Sequence, residues 1–225
     1  DAAAQEVAEL AVAHGRLAID TEFVSERRYQ ALLCLVQVAA PDPDREGGVR
    51  TEVLDPLADD PFEPAPLADA LADPAVEVVV HAGRQDVAIL RRTWETDVTR
   101  IFDTQIAAGF VGYGTPSLVS LVQGELGETV AKGDRLTDWL RRPLSDAQRE
   151  YAAADVVYLL ELERRLLAQL AELDAGLNRI EHRAKNLARD LEKQRIRAAA
   201  LQGNMSQNQR QAALDGFRGS RYDIL

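Results

Sequence analysis

Three features of the sequence predict an α/β fold. Short apolar runs suited to strands recur at 16–23, 31–40 and 49–57. A run that is almost entirely β-branched, "VEVVV" at 76–80, leads directly into an amphipathic stretch of helical period. The segment 145–173 keeps that period throughout. Together these describe a small mixed sheet flanked by helices.

Taken in order, residues 3–14 place Ala, Val and Leu at helical spacing and form a first helix. "RLAIDTEF" (16–23), "ALLCLVQVAA" (31–40) and "VRTEVLDPL" (49–57) are strands on short connections, the second and third joined by the turn "PDPDREGG", which predicts an antiparallel meander. "PFEPAPLADALADP" (61–74) is a helix bounded by prolines. "VEVVVHAG" (76–83) is a strand buried on both faces, and "RQDVAILRRTW" (84–94) is the helix after it. "IFDTQIAAGFVG" (101–112) starts as a strand and continues as a helix, and "SLVSLVQGELG" (117–127) is helical. Ser145 caps one long helix over 145–173.

Composition narrows the class. The chain has 225 residues, enough for a sizeable core in one or two domains, and is 46% hydrophobic and 28% charged. No apolar stretch approaches the ~18 residues of a membrane span, and "DAAAQEVAEL" lacks the basic and apolar regions of a signal peptide. Cys34 is the single cysteine, which excludes a disulfide framework and a Cys-based zinc site and makes a reducing cytoplasm the expected compartment. Its setting in "ALLCLVQVA" is that of a core thiol, and Trp94 and Trp139 are read as packing residues. The net charge of −11 is uneven: residues 1–170 carry 16 basic and 30 acidic side chains, and residues 171–225 carry 10 and 7. Such charge governs solubility and steering and assigns no site.

The chemistry centres on four carboxylates. In an extended chain residues i and i+2 share a face, so Asp20 and Glu22 of "LAIDTEF" stand side by side and repel unless a proton or cation neutralises them. Asp86 opens the helix after the β-branched strand, and Asp155 lies four residues beyond Tyr151, on the same helical face and among Ala152, Ala153 and Ala154. Were these elements to converge, the four acids would find only Arg84 nearby in sequence. Divalent cations preferring hard oxygen ligands, Mg²⁺ or Mn²⁺, would answer the charge, and two such ions form the clamp used for in-line attack at phosphodiesters. Spacing alone also fits ordinary structural acids, Asp86 as a helix N-terminal residue among them.

"AIDTEFVSERRYQALLCLVQVA", "VVVHAGRQDVAIL", "IFDTQIAAGFVGYG" and "DWLRRPLSDAQREYAAADVVYLLEL" together resemble ribonuclease D, of the DEDD superfamily of 3′-5′ exonucleases with Tyr in the third motif, over residues 1–172. The resemblance implies a ribonuclease H-like fold. It implies that Asp20 and Glu22 form the first motif, Asp86 the second, and Tyr151 with Asp155 the third. The four acids would then hold two divalent ions, Mg²⁺ or Mn²⁺, and Tyr151 would position the attacking water. His81 and Gln85 match positions near the RNA, and Phe23 could wedge against the terminal base. Arg27, Arg28, Arg141 and Arg142 are further candidates for phosphate contacts, alongside a reading as solvated surface pairs.

The composition changes near "ELDAGLN" (172–178), and 173–225 is read as a separate C-terminal α/β fragment: helix, a short strand "IRAAAL", the turn "QGN", a second helix and a last strand "YDIL". The family resemblance would lead one to expect a helical HRDC domain next, but none is predicted in 173–225. The tail instead resembles a piece of the second RecA-like domain of DEAD-box RNA helicases, with "QNQR" (207–210) at an RNA-contacting element of that family. Without a phosphate-binding loop it has no chemistry for ATP, and it is expected to be a fusion scar or a weak RNA contact.

The function expected is therefore a metal-dependent 3′-5′ exoribonuclease, a monomer that needs neither ATP nor a membrane. It would release nucleoside 5′-monophosphates from single-stranded or tRNA-like 3′ ends, as in tRNA 3′ processing. Two alternatives stay open: a DNA 3′-5′ exonuclease on the same fold, and a non-catalytic RNA-binding module whose site the tail occludes.

Overall fold

A computed structural model of the chain describes residues 2–26, 28–130, 137–193 and 206–219. Two compact units divide it, residues 1–168 and 169–225.

The first unit is built on a five-stranded sheet of β1 (Arg16–Val24), β2 (Leu32–Pro41), β3 (Val49–Leu54), β4 (Glu77–Val80) and β5 (Ile101–Asp103). The strand order is β3-β2-β1-β4-β5. β1, β2 and β3 pair antiparallel as a meander, whereas β4 runs parallel to β1 and β5 parallel to β4. This mixed sheet flanked by helices is the α/β class expected. Val78, Val79 and Val80 are all buried, so β4 is covered on both faces.

Alternation along β1 sorts the two faces. Leu17 and Ile19 join Val36, Val38 and Ala40 of β2 and Val78 and Val80 of β4. Helices α1 (Ala2–His14), α2 (Ala65–Ala72) and α3 (Arg84–Trp94) cover this layer with Val7, Leu67, Leu71 and Leu90. The opposite face carries Leu35 of β2 against Trp139, Leu144 and Ala152. Ala152 belongs to α6 (Asp146–Val157), which lies over β1, β2 and β3. Helices α4 (Thr104–Phe110) and α5 (Leu118–Leu126) follow β5. Cys34 is fully buried, a core thiol pushed above its ordinary pKa chiefly by that burial. Trp94 packs edge-on to Phe62, ring centroids 6.0 Å apart. No helix among the described residues is long and apolar enough to cross a membrane.

Four local readings need correction. The helix expected over 61–74 starts only at Ala65, because Pro61 and Pro64 supply no amide hydrogens and the segment before Pro64 has no helical backbone. The strand expected over 76–83 stops at Val80, since the Ala82 and Gly83 amides bond to the Asp103 carboxylate instead of a ladder. β3 stops at Leu54, where Asp55 accepts from the Leu57 amide at 2.9 Å and turns the chain. The helix expected over 145–173 breaks at Tyr158 into α6 and α7 (Leu159–Lys193). Tyr158 has φ −95° and ψ −11°, and its amide closes a tight turn onto the Val156 carbonyl. The break lets α7 bury Leu159, Leu162 and Leu166 independently of the face α6 presents.

In the second unit, residues 172–178 lie inside α7, so the shift in composition there coincides with no break in the helix. Helix α8 (Gln207–Arg218) is capped by Ser206, whose hydroxyl accepts from the Gln209 amide at 3.3 Å while Gln209 reaches back to the Ser206 amide. The strands expected at "IRAAAL" and "YDIL" and the turn "QGN" lie outside the described residues, as does Arg27.

Candidate active site

The carboxylates come from three elements of the first unit. Asp20 and Glu22 alternate with Ile19, Thr21 and Phe23 along β1, which turns both acids away from the α1–α3 layer. The pairing of β1 with β2 shifts register between Glu22 and Phe23: Glu22 faces Leu35, Phe23 faces Leu33, and Cys34 is the extra residue of a bulge. A bulge re-aims side chains on either side of it. Here it falls immediately after the two acids. Phe23 is half-buried against the α1–α3 core.

Asp86 arrives through a tight turn. After β4, Ala82 adopts φ 55°, and a Cβ on Gly83 would lie 2.5 Å from Val80 Cβ, so glycine is required there. Asp103, at the end of β5, holds this turn with both carboxylate oxygens. Oδ1 accepts from the Ala82 amide at 3.0 Å and from Gln105 at 2.9 Å, and Oδ2 accepts from the Gly83 amide at 3.1 Å. Asp103 thereby caps α4 and fixes the start of α3. The Thr21 hydroxyl then donates to Asp86 Oδ1 at 2.5 Å, tying α3 to β1.

Asp155 and Tyr151 come from α6. Ser145 and Gln148 form a reciprocal capping box at its start. Ala152 is fully buried, and its small side chain lets the helix settle onto the sheet. Tyr151 stacks on Trp139 with ring centroids 6.3 Å apart and 24° between planes, which limits its ring to one orientation. Arg142 anchors the segment before the helix. It donates to Asp55 at 2.6 Å and to the carbonyls of Cys34 at 3.0 Å and Trp139 at 2.8 Å.

Electrostatics identify the four acids as one cluster. Burial lifts the Asp20 carboxyl well above its ordinary range, and the charges of Asp86, Asp155 and Glu22 lift it further. Glu22 is raised to about 7 by burial, then by Asp155 and Asp86. Burial raises Asp155 to about 6, and it raises Asp86 against the hydrogen bond from Thr21. Among the described residues none of the four forms an ion pair, and Arg84 is exposed and forms none either. Also among them, no three acidic, histidine or cysteine side chains already stand together at ligating distance. The four are thus electrostatic neighbours rather than a closed cage, as expected of like charges with no protein cation between them. Their chemistry fits a hard divalent ion: four carboxylates in a partly dry setting, short of positive charge.

The other predicted residues divide. His81 is committed internally, with Nδ1 2.9 Å from the Thr104 hydroxyl and Nε2 3.2 Å from the Pro116 carbonyl, and burial lowers its pKa. Gln85, Arg28 and Arg141 are exposed. Sequence reasoning passed over Asp103, whose only local signal is its place before "TQ", and Tyr29, which is fully exposed beside Arg28.

Comparison with known proteins places the chain in a family. A family model described as 3′-5′ exonuclease matches residues 1–171. The chain belongs to the 3′-5′ exonuclease family. It is 44% identical over 157 residues to ribonuclease D of Jannaschia sp. (strain CCS1), covering 69% of this chain and 40% of that relative. Among solved structures, Escherichia coli RNase D, an exoribonuclease involved in structured RNA processing, superposes with a TM-score of 0.66 at 34% identity, over 75% of this chain and 43% of that one. Brucella melitensis NrnC with bound Mg²⁺ superposes with a TM-score of 0.60 at 29% identity, over 70% and 74% of the two chains. The chain spans about two fifths of the length of the ribonuclease D relatives.

Proposed function

We propose that the first unit is a metal-dependent 3′-5′ exoribonuclease that releases nucleoside 5′-monophosphates from single-stranded or tRNA-like RNA ends, as in tRNA 3′ processing. The observation that carries the reading is the electrostatic coupling of Asp20, Glu22, Asp86 and Asp155 from β1, α3 and α6, with no cationic side chain among the described residues paired to them. These four would hold two divalent ions, Mg²⁺ or Mn²⁺. Such a pair, when bound, supplies a hydroxide at neutral pH and stabilises the leaving 3′ oxygen.

The remaining work falls to the chain's own side chains. Tyr151, whose ring stacks on Trp139 and which lies one helical turn before Asp155 on α6, would orient the attacking water. Phe23, next along the strand from Glu22 and half-buried, offers an edge for the terminal base. Gln85 and Arg28 are exposed near the ends of these elements and meet the ribose-phosphate backbone, with Arg27 as a further cation. His81 supports this surface from beneath through Thr104 and Pro116. Arg142 serves by anchoring the approach to α6. Neither ATP nor a second subunit enters the reaction, and the resemblance of the tail to a helicase fragment adds no chemistry to it.

Uniformly labelled RNA with a free 3′ hydroxyl tests the reading, with products resolved by chromatography. Nucleoside 5′-monophosphates are expected from the first time point. Internal fragments or 3′-monophosphates would overturn it.

A further inference from the structure

Gln37 lies at the middle of β2 and is fully buried, yet among the described residues neither its Oε1 nor its Nε2 has a hydrogen-bond partner. A polar side chain in that position is costly unless something uses it. The register shows what is near. Gln37 stands directly opposite Asp20 across the antiparallel pair, and its other neighbour is Val53 of β3, which can neither donate nor accept through its side chain. Residues opposite one another in such a pair project to the same face with Cβ atoms about 5 Å apart. The carboxamide therefore shares the face on which Leu35, Trp139 and Ala152 pack, beneath α6 and beside the acid cluster. Of its two partners in the ladder, only Asp20 carries a polar side chain. Asp20 in turn has one favourable contact from its own strand, the Thr21 amide, set against three neighbouring acids.

We propose that Gln37 is a positioning residue for Asp20: its Nε2 donates to one oxygen of the ionised carboxylate and leaves the other free to face a divalent cation. The inference rests on the metal-site reading of the four acids. A carboxylate that holds a cation is oriented by a donor on its far side, and removing such donors typically weakens metal affinity by about 10- to 100-fold. Gln suits the task better than Lys or Arg here. It aligns the carboxylate without adding a charge that would replace the cation.

Calorimetric titration of the full chain with Mn²⁺, without RNA, separates the possibilities. Wild type is expected to bind Mn²⁺, Asp20→Asn to lose most of that binding, and Gln37→Met to bind about tenfold more weakly. The metal-free melting temperature of Gln37→Met should stay level or rise, because an unpaired amide has been replaced by an apolar side chain of similar volume. Gln37→Leu repeats the test with a different shape. If wild type binds no Mn²⁺, the metal-site reading itself fails. If wild type binds and the Gln37 variants bind equally well, only the role of Gln37 fails. Loss of folding in both variants would show that the amide is already satisfied in the metal-free fold, and that too overturns the inference.

Discussion

Replacing Glu22 with Gln should make the metal-free protein more stable while destroying its function. The Glu22 carboxyl is shifted from 4.5 to about 7, first by burial and then by Asp155 and Asp86. A raised pKa in the fold means that the wild type loses stability as pH climbs from about 4.5 through 7, because the folded state resists ionisation that the unfolded state accepts. At about 1.4 kcal/mol per pH unit this displacement corresponds to about 3 kcal/mol, and partial solvent access reduces it to about 2 kcal/mol. For a unit of this size that is a gain of about 4–8 °C in melting temperature. Both tryptophans, Trp94 and Trp139, lie in the first unit, so urea titration followed by tryptophan fluorescence in EDTA reports on the right transition. The gain should be full at pH 8 and vanish at pH 4, where Glu22 is protonated in both states. With saturating Mn²⁺ it should shrink or reverse, since the wild type alone keeps all four ligands. An EDTA-treated Glu22→Gln protein at pH 8 that is no more stable than wild type would refute the claim that these acids repel one another without a protein counter-charge.

Further outcomes follow from other parts of the structure. Asp103→Ala removes acceptors for the Ala82, Gly83 and Gln105 amides and should cost about 2 kcal/mol in urea unfolding together with a drop in kcat; unchanged stability would exclude the clamp. Glu163 is buried with the Arg16 guanidinium 3.6 Å away, and burial and then Glu77 raise its pKa to about 8, so the wild type loses stability as pH climbs from about 4.5 through 8. Glu163→Gln should therefore match wild type near pH 4 and be more stable at pH 7 and at pH 9, and a variant no more stable than wild type at pH 9 would show that the ionised pair with Arg16 offsets the cost of burial. Tyr29→Ala should raise KM for RNA about fivefold with kcat unchanged, since a fully exposed aromatic ring beside Arg28 offers a base a stacking surface; an unchanged KM would remove Tyr29 from the RNA path. Truncation after Lys193 should leave the exonuclease rate intact, because all five motif residues lie in the first unit; a large fall would assign the tail a role.

What the sequence made legible depended on how local each signal was. Asp20 and Glu22 could be paired because strand geometry fixes i and i+2, and α3 runs over the same residues, Arg84–Trp94, that its amphipathic pattern outlined. The meander and the buried β4 followed from residue type and turn chemistry in the same way. Asp103 escaped because its partners include amides some twenty residues back in the chain, which no local pattern announces. Gln37 carries no local signal within the apolar run 31–40, and only the register sets it opposite Asp20. Arg142 looked like a surface cation, and only the fold brings Asp55 and the Cys34 carbonyl to it. The break at Tyr158 carries no glycine or proline; it arises where two helical faces must satisfy different partners.

The central claim is that four carboxylates form one metal-dependent site acting at an RNA 3′ end. The most direct test follows 5′-labelled RNA on a sequencing gel under single-turnover conditions, comparing wild type and Asp20→Asn in Mg²⁺ or EDTA. The account predicts a ladder shortening one nucleotide at a time from the 3′ end, abolished by EDTA and slowed at least about 100-fold by the substitution. Trimming that persists in EDTA, or that Asp20→Asn performs as fast as wild type, would contradict it.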